Sequence, residues 1–143
     1  MDSSLNKPDQ IVETHSFVNN NLDLFENILN SLESVSAEAK SFFKEKVSLE
    51  GKVSNQLLEK HQHEGHGYAW FETYRIALRE TLNWFKTLKK LDKSTKLESG
   101  ILIFSFAEYL CQMRSGIMMS QTEVIRPENL GISNQSFSLS LIH

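Results

Sequence analysis

One cysteine, two prolines, six glycines and no surplus of positive charge leave little room for several classes of protein. A lone Cys111 cannot form an internal disulfide framework and suits a reducing compartment, so the cytoplasm is the expected setting. Cys111 sits in an apolar run, where cysteine is expected to pack as a small hydrophobe. Two prolines and six glycines are too few for an all-β fold built on many tight turns, which favours helices. The net charge of −3 supplies no basic surface for a phosphate backbone, so no nucleic-acid partner is expected. The longest apolar run, 101–113, is interrupted by Ser105, Glu108 and Gln112, and is too short and too polar to span a bilayer. Met1-Asp2-Ser3-Ser4-Leu5-Asn6 has neither the basic start nor the apolar segment of a signal peptide.

What the sequence does contain is one long helical pattern. From His61-Gln62-His63-Glu64-Gly65-His66-Gly67 it runs through Trp70 to Leu91. Trp70, Tyr74, Ala77, Thr81, Trp84, Leu88 and Leu91 recur four and three apart, and Phe71, Leu78 and Phe85 widen the stripe. Glu72, Arg75, Arg79, Asn83 and Lys86 fall outside it. The aromatic side chains of this band supply more buriable area than any other segment, so the other helices are expected to form around it.

The remaining chain reads as helices joined by short turns. Pro8-Asp9 opens a first helix with the stripe Ile11, Val18, Leu22, Phe25, Leu29 and Leu32, and Asn19-Asn20-Asn21 predicts a bend. Ser36 is expected to cap a short second helix that Gly51 ends. Ser54 caps the third helix, with Val53 against Leu58 as a hydrophobic staple, and this helix should continue through the histidines to about Leu91. Asp92-Lys93-Ser94 makes a turn, and Thr95-Lys96-Leu97-Glu98 reads as a capping box for a fourth helix that is apolar on most sides. Ser120-Gln121-Thr122-Glu123 predicts one more short helical start before Pro127. The tail 133–143 is Ser-rich without helical period. The expected fold is all-α, an antiparallel bundle of about four helices with an irregular C-terminal tail. Its expected division is a bundle domain 1–116 and a linker-like segment and tail 117–143.

Candidate chemistry is sparse. On one continuous helix Glu59, His63 and His66 would share a face, and imidazoles with a carboxylate are zinc or iron ligands. The order is not His-Glu-x-x-His, and no second Glu-x-x-His motif completes a di-iron set, so no metal is expected. The plainer reading makes the histidines part of a packed or solvated junction, with Gly67 admitting a neighbour close to the backbone. Glu108 is the one acid in the most apolar helix, a candidate general base if buried, although such a group more often lies on the polar stripe or pairs with a cation such as Arg114 or Arg79. No Gly-x-Ser-x-Gly elbow and no phosphate loop is present. Lys86, Lys89, Lys90, Lys93 and Lys96 suit a solvated helix C-terminus. The residues singled out for packing or interaction are His63, His66, Gly67, Trp70, Tyr74 and Trp84, with no catalytic or cofactor-binding residue.

Three blocks carry a resemblance. They are Gln62-His63-Glu64-Gly65-His66-Gly67-Tyr68-Ala69-Trp70 with Thr73-Tyr74 and Ala77-Leu78-Arg79, then Phe106-Ala107-Glu108-Tyr109-Leu110, then Gly116-Ile117-Met118-Met119-Ser120-Gln121 with Glu123. With Glu50-Gly51-Lys52-Val53-Ser54 ahead of them, they resemble the N-terminal helical extension of methylsuccinyl-CoA dehydrogenase-type members of the acyl-CoA dehydrogenase family. The resemblance covers roughly residues 45–132. It implies a parent flavoprotein that uses FAD to oxidise an acyl-CoA thioester, with its catalytic body C-terminal to this region. None of the matching positions is a catalytic base or an FAD ligand. The expectation is therefore a non-catalytic helical domain, either a truncated remnant or a separately encoded piece, that packs against a dehydrogenase body. The alternative is a free-standing bundle that self-associates through its fourth helix.

Overall fold

Asn19-Asn20-Asn21 is where the first helix stops. In the computed structural model, which describes residues 7–133 and Phe137, helix α1 (Lys7–Asn20) ends one residue before helix α2 (Leu22–Val47). Asn21 closes the joint, its side chain donating to Phe17 O at 2.8 Å. Asparagine does this readily because its short amide competes with helical hydrogen bonding. The side chain of Ile11 and the tail from Asn134 onward, Phe137 apart, lie outside the described residues.

Helix α2 does not break at Ser36. It runs uninterrupted for 26 residues, with Phe25, Leu29, Leu32, Val35 and Ala39 buried along one side. Ser36 is buried within it, and its hydroxyl donates across the helix pair to the Glu72 carboxylate. Inside an unbroken helix the amides that a cap would serve already bond the preceding turn, and the hydroxyl is left to tie α2 to a distant carboxylate. The helix ends at Val47, ahead of Gly51. Strands β1 (Ser48–Leu49) and β2 (Lys52–Val53) then pair antiparallel around a two-residue turn. Glu50 and Gly51 both take positive φ, 51° and 78°, the backbone such a hairpin requires.

The expected third helix is two helices. Ser54 caps α3 (Asn55–Lys60), accepting from Leu57 N, and α4 (Gln62–Lys90) starts after a break at His61. The glycines are not the weak points. Gly65 and Gly67 lie inside α4 because neighbours press on them: a Cβ at Gly67 would sit 2.2 Å from Ile125 Cγ1, and one at Gly65 2.8 Å from Phe43 Cζ. Asp92, at φ 55°, turns the chain. Thr95 and Glu98 form the capping box of α5 (Lys96–Ser115), as the sequence predicts. Ser120-x-x-Glu123 caps a hairpin turn rather than a helix. Ser120 Oγ accepts from the Thr122 and Glu123 amides between strands β3 (Ile117–Met118) and β4 (Val124–Ile125). A 3-10 turn, Pro127–Leu130, follows.

The architecture is an all-α bundle with two short hairpins. Helix α4 packs between α2 and α5, and α1 covers another side of α5. One core joins Leu29 and Leu32 of α2, Phe71, Leu78, Leu82 and Phe85 of α4, and Leu102, Phe106 and Met113 of α5. Phe25 and Phe106 meet edge to face at 4.9 Å. Each such fully buried side chain contributes about 1.5–3 kcal/mol. Ile117, Ile125, Leu130, Ile132 and Phe137 belong to the same cluster, so these residues after Gly116 add to the core. At the other side His15 Nδ1 of α1 lies 2.7 Å from the fully buried Ser99 Oγ of α5, tying those two helices.

Candidate interaction surface

The buried ridge of α4 is Gly67, Phe71, Leu78, Leu82 and Phe85. It lies one position round from the ribbon centred on Trp70 and Trp84. Trp84 is 39% exposed and Leu91 is exposed, which corrects the expectation that they face inward. An indole must keep a partner for its N–H, whereas Phe and Leu have nothing to satisfy, so the all-carbon stripe takes the core and the tryptophans its rim.

Along that rim runs a row of rings. The exposed His66 accepts at Nε2 from Trp70 Nε1 at 3.1 Å, which places the neutral ring's proton on Nδ1. Trp70 meets Tyr74 edge to face at 6.1 Å, and Tyr74 stacks on Tyr109 of α5 at 4.4 Å. Tyr74 donates its hydroxyl to Gln112 at 2.7 Å, and Gln112 donates to Glu108 at 2.6 Å. Burial first, then Tyr109 and Glu108, push the Tyr74 hydroxyl above its ordinary pKa. Tyr74 is thus a link between helices. On the outward face beside it His63, His66, Ala69 and Thr73 are exposed around a half-buried Trp70 that also packs on the core, with a shallow concavity between His66, Ala69, Trp70 and Thr73.

The opposite flank of α4 carries ions. Arg79 pairs with Glu26 and, at 3.1 Å, with Glu33 of α2. Lys86 also binds Glu26, and Arg75 holds Glu72 at 2.9 Å. The Lys86 hydrogen bond, together with Arg79 and against burial, holds the Glu26 carboxyl below the usual range. Burial raises Glu72, but Arg75, the Ser36 hydroxyl and Lys40 outweigh it and leave this carboxyl depressed as well. The spacing of residues 72, 75, 79 and 86 marks them as one face; that α2 supplies their partners is not visible without the pairing of the two helices.

The metal candidates do not meet. The break at His61 puts Glu59 on α3, away from the helix that carries the exposed His63 and His66. Among the described residues no three His, Cys, Asp or Glu side chains form a group that could hold a metal ion. Glu64, which follows His63, turns instead to His61 at 3.2 Å and Lys46 at 3.7 Å. Glu108 is exposed rather than enclosed, so nothing buries it into a general base. Cys111 is also exposed, contrary to its expected place as a core hydrophobe. Of the lysine cluster, Lys86 pairs with Glu26 and Lys89 donates to Asn19 O at 2.7 Å, fastening α4 to its neighbours. Among the described residues no helix is long and apolar enough to cross a membrane.

The structure shows which residues of α5, the fourth helix of the sequence reading, form its apolar surface. Leu97, Ile101 and Phe104 point outward, 69%, 42% and 75% exposed. An open groove of about 680 Å³ lies between them, Gly100, Lys96 and Ser105 on α5 and Thr14 on α1. Ile101 also borders Glu80, Thr81 and Trp84 of α4. The groove's lining offers one cation and two hydroxyls, a donor set that does not fit the two phosphates and ring edge of a flavin dinucleotide. The signal was present, since α5 has no polar face wide enough for solvent, but its apolar surround pointed to full enclosure.

With this geometry in view, the chain is 39% identical over 111 residues to (2S)-methylsuccinyl-CoA dehydrogenase of Cereibacter sphaeroides. The match takes in 78% of this chain and 20% of that enzyme, so the chain spans about a fifth of the relative's length. No protein-family model matches the chain. The resemblance to methylsuccinyl-CoA dehydrogenases carried by the three sequence blocks therefore stands.

Proposed function

We propose that this chain is a non-catalytic N-terminal helical module of an acyl-CoA dehydrogenase-like flavoprotein, and that it acts by packing against a dehydrogenase body. The observation that carries this reading is the unequal coverage: most of this chain aligns with a small part of a much longer enzyme. The remaining four-fifths of such an enzyme would carry the FAD and the thioester chemistry, in the cytoplasm.

The open face of α4 suits that contact. His63, His66, Trp70 and Thr73 present an aromatic centre with polar edges, the composition favoured at the middle of interfaces. The Tyr74–Tyr109 stack and the Gly67–Ile125 contact hold the face rigid from behind, which lowers the entropy lost on docking.

Titration calorimetry of the purified chain against a methylsuccinyl-CoA dehydrogenase body lacking the corresponding stretch tests the reading. Binding is expected, weakened about tenfold or more by Trp70→Ala, since buried aromatic anchors dominate such interfaces. Purified chain that takes up FAD and reduces an electron acceptor with an acyl-CoA would refute it.

A further inference from the structure

We infer that the outward ridge of α5 is a self-complementary docking surface, and that its occupant is α5 of a second copy of this chain, packed antiparallel about a two-fold axis that crosses the ridge midway between Gly100 and Phe104. Three observations converge on this. The ridge is apolar and stands clear of its flanking helices, since Phe104 and Leu97 keep most of their surface in water while α1 and α4 cover the sides of α5. Gly100 lies in the same face, mid-helix, where glycine costs stability, and a Cβ there would meet no atom within 4 Å. None of the described residues fills that gap, which leaves the backbone there open to close approach. The charges at the ridge's two ends are opposite, Lys96 and Glu108.

An isologous pair places residue i against j and j against i. The row Lys96, Gly100, Phe104 and Glu108 runs at i±4 along the ridge, so two copies crossing on it with the axis midway between Gly100 and Phe104 place Phe104 of one over Gly100 of the other and Lys96 against Glu108. Each large side chain meets a small one and each charge its opposite, twice over. Gly100 lets the two helices approach closely, as small residues do at tight crossings. The contact spans about 13 residues of α5, roughly 20 Å at 1.5 Å per residue. Trp84, beside Ile101 on the α4 flank, widens it towards the roughly 800 Å² per partner that a stable dimer buries. This surface is centred away from the His66–Trp70 face, because Tyr74 pairs with Tyr109 while Trp84 borders Ile101, and its Glu108 end adjoins the Tyr74–Gln112 link.

Sedimentation velocity of the whole chain over a wide concentration range tests the pairing. A concentration-dependent species of twice the 16.4 kDa chain mass is expected. Phe104→Glu and Gly100→Leu should each raise the dissociation constant about tenfold or more with helicity unchanged, since one site is exposed and the other open. Lys96→Glu and Glu108→Lys should each weaken the dimer, and the double exchange should restore it. A wild-type chain that stays monomeric, a dimer that survives Phe104→Glu, or an exchange that fails to restore association overturns the proposal. So does a ridge that becomes protected from solvent only when a dehydrogenase body is added, which would assign it to that body.

Discussion

Helices α4 and α5 lie side by side and use apolar residues in opposite ways. Helix α4 separates its surfaces: an all-carbon ridge faces α2 and α5, ions face α2, and the rings that carry polar atoms sit at the rim. Helix α5 separates nothing. It buries Ser99, Leu102, Phe106 and Met113 inward and still presents Leu97, Ile101 and Phe104 to water. The difference teaches that total hydrophobicity does not measure burial within one chain. A helix whose apolar residues surround it has surface to spare after its own core is filled, and that surplus is where a partner fits.

Removing a phenylalanine from each helix is the sharpest way to break the contrast. Phe85→Ala should cost about 3–5 kcal/mol by denaturant unfolding, the range for emptying a filled core site. Phe104→Ala should change monomer stability by less than about 0.5 kcal/mol, as at exposed positions generally. Equal losses would mean that α5 is enclosed after all.

The glycines offer a second contrast, opposite in sign. Gly67→Ala drives a methyl into Ile125 and should destabilise by about 1–3 kcal/mol. Gly100→Ala meets no atom and should stabilise the monomer by about 0.5–1 kcal/mol through helix propensity. A stabilising Gly67→Ala would remove the close approach of β4 to α4.

Acid should act on the α4 side through Glu26 and Glu72. Their folded pKa values are depressed, so their contribution is complete above the ordinary carboxylate value of about 4.3 and is lost as pH falls through the lower folded values. Thermal midpoints followed from neutral to acid pH should drop more steeply in the wild type than in Glu26→Gln. That variant should itself be about 1 kcal/mol less stable at neutral pH. Parallel curves would show the ion ladder to be idle.

Much of this molecule was legible in its residues. The capping box at Thr95 and Glu98, the cap at Ser54, the joint at Asn19-Asn20-Asn21 and the long aromatic helix all rest on local chemistry, and local hydrogen bonding put them where the pattern did. The misreadings share one cause. Ser36 resembles a cap until α2 runs unbroken through it and leaves its hydroxyl to Glu72 of a distant helix, and Ser120-x-x-Glu123 resembles a helix start until β3 and β4 pair around it. The Trp70–Trp84 and Phe71–Phe85 stripes have the same spacing, so periodicity cannot choose between them.

By itself, then, the sequence determined a helical chain, its principal joints and its likeness to one stretch of a methylsuccinyl-CoA dehydrogenase, because propensity, capping and ordered blocks act within short spans of chain. Tertiary structure alone decided which of two adjacent stripes of α4 is buried, that Ile117, Ile125, Leu130, Ile132 and Phe137 join the core, and that α5 keeps an uncovered ridge. Each of these depends on which surfaces meet, and side chains that are distant along the chain settle that by competing for the same space and the same hydrogen bonds.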